Sequence, residues 1–436
     1  DYIDASKAFR NMEDINMGII GVYATLGTSD ITNNSLVSDE AMLPNENNTG
    51  GNVSTYRWQY DGTNGTITAA FAENAIAIDK INRVLANIDK VASTPNDASL
   101  KERYRGELLA LRAYCHFELI RNFGAKYEAG ALATPYVEES DLFIKPTRLK
   151  FEEAMAKVKA DLATAKGLIP SSFTDRTRIT KLAVSAIQAR VALYEKNWAE
   201  AITYSTEAIN SLPLATKTQF ADVWIDKSDA EVFWKLKRVT GDALLGSFYF
   251  NTGGVILYAP SYKLIDAMNT LDTAKDIRYK AYIKYDNTRG SGKHLYRVSK
   301  YAGGGTNLAD VKLYRTGEMY LIRAEAYAET PGKLTEAAAD LNALRAARVN
   351  GYADQSFAGK DALIDAIYLE RFKELAFEGH RFFDLRRRNL PIVRTAADAI
   401  NNLGAVQLQP TEAQYAFPIP DYELKANKNM EQNPKY

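Results

Sequence analysis

The sequence is poor in the residues that do redox, nucleophilic and metal chemistry. Among 436 residues there is one cysteine, Cys115, and three histidines, His116, His294 and His380. A lone cysteine forms no disulfide within the chain, and inside an apolar helical run it reads as a small core residue. The histidines are far apart in sequence and show no HExxH or CxxC spacing, so no metal site and no cofactor is implied. His116 follows Cys115 directly, and on a helix neighbours diverge by about 100°, which places them poorly as nucleophile and base. There is no GxSxG elbow, and GGGTNLAD at 303–310 lacks the Lys-Ser/Thr of a phosphate loop. No uninterrupted apolar run reaches about 18 residues, so no helix is expected to span a bilayer. Net charge is missing as well. Lys+Arg and Asp+Glu balance at 54 each, so no field draws the chain to nucleic acid or an anionic membrane.

What is present is ordinary in bulk and unusual in one respect. With 46% hydrophobic and 25% charged residues the chain reads as globular, long enough for one large or two ordinary domains. It carries 26 tyrosines, a residue suited to recognition surfaces because it is flat, rigid and polar at its tip. It begins at Asp1 rather than Met, which suggests a processed or trimmed start.

Helical spacing of apolar residues predicts helices over 2–28, 66–91, 99–123, 147–167, 178–212, 315–329, 333–348 and 361–378. Several pair as short hairpins: Ala189 and Ala192, an Asn197-Trp198 turn, then Ala201, Tyr204 and Ala208; likewise Ala324 and Tyr327, Pro331-Gly332, then Ala337 and Leu344. Small residues where helices cross, in units of about 34 residues, resemble tetratricopeptide (TPR) repeats. The expected fold is mainly α: one unit with a TPR-like hairpin scaffold over approximately 66–212 and 315–390. A loop-rich part with short strands occupies 29–65 and 213–314, and a proline-punctuated tail over 406–436 reads as an extended strap.

The loop-rich part supplies the candidate site. Sugars present C–H faces that stack on aromatic rings, and their hydroxyls need Asn, Asp, Arg and Gln partners. Both residue sets occur together in 29–62, with Asn33, Arg57, Trp58 and Tyr60 the chosen candidates. They recur in 251–312, where Tyr258, Tyr285, Tyr296 and Tyr301 are chosen beside Arg289 and Asn307. The alternative is that these aromatics are amphipathic packing residues.

The densest pattern is LERFKELAFEGHRFFDLRRRN at 369–389. Glu370, Glu374 and Glu378, four apart, form an acidic ridge on a helix, with Arg371, Lys373, Arg381 and Arg386 near enough to pair with it. Gly379 ends or bends the helix, and Arg386-Arg387-Arg388 reads as a helix end neutralising its own carbonyls. This run resembles the C-terminal signature of the SusD/RagB family, nutrient-binding lipoproteins of the bacterial outer membrane. So, in order, do GIIGVYATL (18–26), AIAIDKINRVL (75–85), RGELLALRAYCHFELIRNFG (105–124), YLIRAEAYAE (320–329), DLNALRAAR (340–348) and FPIPDYELKANKNMEQNPKY (417–436).

The resemblance implies a helical scaffold with four TPR-like hairpins and an irregular ligand-binding part. It implies a surface-exposed protein held at the outer membrane by an N-terminal lipid anchor, whose cysteine is absent from this chain. There it would cap a SusC-like TonB-dependent transporter and capture glycans or peptides for import, without catalysis. The family's motifs are structural and carry no ligand residues over. Two further readings stand beside this one: a glycoside hydrolase on a helical scaffold, since 54 acids guarantee carboxylate pairs, and a TPR adaptor.

Overall fold

The computed structural model describes residues 8–47, 49–269 and 274–436. The first six residues of the helix predicted over 2–28 lie outside them. Ten helices of nine or more residues run through the described residues. They are α1 (Met12–Tyr23), α2 (Ser29–Val37), α3 (Gly65–Asn87), α4 (Ala98–Phe123) and α5 (Phe151–Leu168). After these come α6 (Lys181–Glu195), α7 (Trp198–Ser211), α8 (Thr316–Glu329), α9 (Leu334–Arg348) and α10 (Lys360–Glu374). The fold is mainly α, as the apolar spacing predicts.

From α3 to α9 each helix packs on the next, so the hairpins stack into a continuous right-through scaffold, and α10 packs on α8. The starts are capped locally. Asn64 accepts from Ile67 N, Thr180 from Ala183 N and Asn197 from Glu200 N, each satisfying a donor that the first turn leaves free. Helix α4 is buried along most of its length, including Cys115 and His116.

The chain leaves this stack after α7 and returns at α8, yet α7 and α8 still pack together. Thr316 Oγ1 donates to Leu212 O at 2.9 Å, pinning the exit to the re-entry. Between them lie short helices (Lys217–Val223, Leu245–Tyr249, Tyr262–Asn269, Ile277–Tyr282) and two-stranded antiparallel ribbons. Val232–Leu236 pairs with Val311–Arg315, and Ile283–Tyr285 with Tyr296–Val298.

The segment 29–65 departs from the expected loop. Residues 29–37 are α2, with Ile31, Leu36 and Val37 buried, and a two-residue strand Ala41–Met42 pairs with Ala259–Pro260. Asn34 faces inward because other groups satisfy it, whereas Asn33 is buried with neither amide atom hydrogen-bonded. Asn34 accepts from Phe382 N and donates to Glu40 Oε1, both near ordinary hydrogen-bond length.

The helix expected over 361–378 ends at Glu374, so Glu370 and Glu374 are fully buried on it while Glu378 lies beyond its end and is half-buried. The partners of these acids are not the neighbours that sequence suggests. Arg278 donates to Asp276 (2.7 Å), Glu370 (2.6 Å) and Glu374 (3.2 Å), while Arg345 takes the other oxygen of Glu370 at 2.7 Å. Arg348 joins Glu374 to Glu231, Arg315 joins Glu231, Glu374 and Glu378, and Lys300 reaches Glu378 at 2.6 Å. Burial pushes the Glu370 and Glu374 carboxyls up, but the surrounding cations outweigh it and hold both below the usual carboxylate range. Of the predicted partners only Lys373 meets the ridge, at Glu370. Arg371 pairs with Asp384 and Arg381 with Asp39. The network therefore bolts the inserted segment to α9 and α10.

The arginine triplet also differs from its reading. Arg386 donates to Arg121 O and Gly124 O, so it neutralises the carbonyl end of α4 rather than of its own helix. Arg387 pairs with Glu325 and Asp384. Arg148 joins Arg386 at that end of α4 through Phe123 O and Leu132 O.

Candidate ligand-binding site

Most of the aromatics chosen from sequence are enclosed. Trp58 adopts a left-handed backbone (φ 56°), donates Nε1 to Val37 O at 2.9 Å, and lies under the guanidinium of Arg394, 4.1 Å from its ring centre. Tyr60 packs edge-on against Phe417 and donates to Gln414 O. Tyr258 stacks on Phe248 at 5.0 Å and donates to Gly51 O. Tyr301 donates to Phe377 O at 3.1 Å. Asn33 is completely buried, and Arg57 spends its guanidinium on Asn401 O. Their faces are covered by protein, so as the chain stands they offer a ligand no stacking surface. Packing accounts for the four aromatics, while Asn33 leaves both amide atoms without a hydrogen bond.

Tyr285 and Tyr296 differ. They are partners across the ribbon Ile283–Tyr285/Tyr296–Val298, with ring centres 4.9 Å apart, and the Tyr285 side chain is 49% exposed. The ribbon is built by strict alternation. Ile283 and Val298 bury the base of one face in the core, and two residues on, Tyr285 and Tyr296 bring the same face out to solvent.

Tyr262 meets Tyr296 edge-on at 6.1 Å, and Tyr279, on the helix before the ribbon, is half-buried. Burial, with Tyr296 close by, pushes both the Tyr262 and Tyr279 hydroxyls above their ordinary range, so both stay neutral hydrogen-bonding groups near pH 7. His294 lies beside Tyr262. Its Nδ1 engages the backbone of Tyr296, which leaves Nε2 buried without a partner. Burial pulls this imidazole below its ordinary pKa.

The result is an open tyrosine platform with a buried imidazole at its edge. It provides flat apolar faces, neutral donors and no aligned nucleophile. Among the described residues no group of His, Cys, Asp and Glu has the arrangement of a metal site. Tyr262, Tyr279 and His294 are the additions that sequence reasoning left out of its chosen set. The period-two pattern in IKY and YRV on either side of the Gly-Ser-Gly turn was the available signal.

With this geometry in view, two family models match the two ends of the chain. One, described as the SusD family, covers residues 291–436. The other, described as starch-binding associating with outer membrane, covers residues 1–193. The chain belongs to the SusD family. A relative, SusD-like protein P38 of Formosa agariphila, is 26% identical over 77% of this chain and 74% of its own. Solved structures of the SusD fold superpose along almost the whole chain. A SusD superfamily protein of Bacteroides thetaiotaomicron matches with a TM-score of 0.87 at 22% identity, covering 98% of this chain and 100% of its own. A putative sugar binding protein of Bacteroides vulgatus gives 0.84 at 25% identity, covering 98% and 99%. As a SusD-family scaffold, the chain places its tyrosine platform on the inserted segment, whose Tyr262–Asn269 helix packs on α10. No helix among the described residues is long and apolar enough to cross a membrane.

Proposed function

We propose that this protein is a non-catalytic, cell-surface glycan-binding protein that delivers its ligand to a SusC-like TonB-dependent transporter of the outer membrane. One observation carries the reading: the exposed Tyr285 pairs with the half-buried Tyr296 at the tip of a ribbon whose base is anchored in the core. Stacking on such rings provides affinity at low entropic cost, since the base of the ribbon is already fixed. The half-buried tyrosine hydroxyls around it supply hydrogen bonds that select among sugar stereoisomers. Membership of the SusD family, the family model described by starch binding and the outer membrane, and the relative described as a sugar binding protein support the same class of ligand. An N-terminal lipid anchor preceding this chain accounts for its surface position.

Affinity gels cast with plant, algal and host polysaccharides test the reading. Wild type is retarded by at least one glycan and releases no product, while Tyr285→Ala and Tyr296→Ala migrate freely on that gel at unchanged stability. Retention of both variants equal to wild type removes the platform from the binding site, and release of sugar removes the non-catalytic assignment.

A further inference from the structure

The ribbon that carries the tyrosines also carries an unbalanced charge. Lys284 and Arg297 stand directly opposite one another in its register, one residue pair inward from Tyr285 and Tyr296. Like charges facing across a strand pair are destabilising. Elsewhere in the inserted segment such cost is relieved: Lys263 by Asp39, Arg278 by Asp276 and Glu370, Arg289 and Lys293 by Glu46. Lys284 and Arg297 have no carboxylate within 4 Å among the described residues. Hydrogen bonds from Thr288 Oγ1 and N, at 2.6 and 3.0 Å, and then the nearby Lys284 hold the Asp286 carboxyl below the usual range, but Asp286 forms no ion pair with Lys284 within 4 Å.

Arg297 is held in place nonetheless. Its guanidinium lies on the ring of Phe250, 4.5 Å from the centre, and its buried Nε donates to nothing in the chain. Two aligned cations without an ion pair within 4 Å, one of them preoriented by a ring, suit an anion that reaches the ammonium and the guanidinium tip.

The position of this site relative to the tyrosines follows from the pleat. Lys284 and Tyr285 are consecutive and both exposed, so they project to opposite faces of one strand. That strand belongs to a two-stranded sheet, and its outer edge is unpaired among the described residues. A polymer lying along this edge meets a stacking ring on one side and an ammonium on the other.

We infer that the glycan is acidic, its carboxylate or sulfate ester taken by Lys284 and Arg297 while its rings stack on Tyr285 and Tyr296. The inference rests on the glycan-capture reading above. An acidic peptide offers the same charge without the sugar C–H faces that fit the open tyrosine pair.

The test uses five polymers with the purified chain at physiological salt: polygalacturonate, its carboxyl-reduced neutral form, carrageenan with agarose as its uncharged counterpart, and poly-glutamate. At least tenfold tighter binding to one acidic glycan than to its neutral counterpart is expected, and it weakens as salt rises. Lys284→Gln with Arg297→Gln erases that preference, and Lys284→Glu reverses it should the Arg297 change disturb folding. Tyr285→Ala lowers binding to acidic and neutral forms alike. Equal binding to a glycan and its neutral counterpart overturns the charge assignment and leaves glycan capture standing. Binding to poly-glutamate alone overturns both. Failure to bind either acidic glycan overturns the charge assignment whatever else binds.

Discussion

Arg348 Nη2 lies 3.0 Å from Glu374 Oε1 and 2.8 Å from Glu231 Oε2, and all three side chains are shut off from solvent. One guanidinium thus joins the acid of α10 to the acid at the head of the Val232–Leu236 strand. Breaking such a buried pair from one side leaves a charge without its partner, which costs about 3–5 kcal/mol. Glu374→Gln is expected to lose that amount in urea unfolding, because Arg348, Arg315 and Arg278 all lean on the same carboxylate. A loss below about 1 kcal/mol would show that the network is redundant at this acid.

Gly317 gives an independent probe of the same contact. A Cβ added there would stand 2.5 Å from Glu374 Oε1 and 3.2 Å from Arg348 Nη2. Replacing a helical glycine by alanine ordinarily stabilises by up to about 1 kcal/mol. Here the acid is clamped by three arginines and has no room to yield, so Gly317→Ala is expected to destabilise by about 1–3 kcal/mol. A raised melting temperature would refute this.

Glu40 makes stability fall as pH rises from 4.5 to about 7. Burial raises its carboxyl from 4.5 to about 7, against the pull of Ser35 Oγ and Phe377 N. The folded protein therefore keeps this proton up to about pH 7, while the unfolded chain gives it up near 4.5. Folding binds a proton across that interval, so the Glu40 contribution favours the fold below pH 4.5 and is lost as pH rises through 7. The full change is about 3 kcal/mol. Denaturant unfolding from pH 5 to 8 measures it, and Glu40→Gln is expected to flatten the slope. Asp39 acts in the opposite sense. Burial raises it, but Arg381 and Lys263 hold it below the ordinary range, so its contribution is present above the unfolded pKa and is lost on acidification.

Trp58 and Tyr285 separate packing from recognition. Trp58→Ala empties a buried space and unseats Arg394, with an expected cost of about 3–5 kcal/mol in stability. Tyr285→Ala removes an exposed ring and is expected to change stability by less than about 0.5 kcal/mol while weakening binding. Circular dichroism melts run beside the affinity gels distinguish the two. A Trp58 variant of native stability would reopen the 29–62 segment as a binding surface.

These cases mark where sequence was informative. The run 105–123 announces its helix because Leu108, Leu111, Phe117 and Ile120 recur with helical spacing, and the apolar stripe is a local property. Helix α2 escaped notice because its buried Asn34 is satisfied by Phe382, more than three hundred positions away, and no local pattern records such a partner. The same holds for Trp58. Its neighbours Arg57 and Tyr60 give a composition that a ligand loop would share, whereas its burial is imposed by Arg394 near the far end of the chain. The spacing of Glu370 and Glu374 was legible as a ridge, but Glu378 lies past the end of α10, where Phe377 turns left-handed. The arginines that meet these acids were not legible, since four of them arrive from the inserted segment and from α9. Tyr285 and Tyr296 could be chosen by type, but their pairing depends on a ribbon register that the alternation only suggests.

The hydrogen bond from Thr316 to Leu212 has a consequence for how this scaffold can diversify. It closes the inserted segment into a chord whose two ends are already neighbours in the stack. The entropy of closing a loop grows only with the logarithm of its length, about 0.6 kcal/mol for each doubling. Closure therefore sets little limit on hairpins added at the exposed surface of the insertion, whose Trp234, Tyr249, Tyr282 and Tyr301 belong to the main core and have to stay. The requirement is that the altered segment still delivers Glu231, Arg278 and Arg315 to their fixed charges. Within that limit, ligand specificity can be exchanged as a cassette while the helical stack stays as it is.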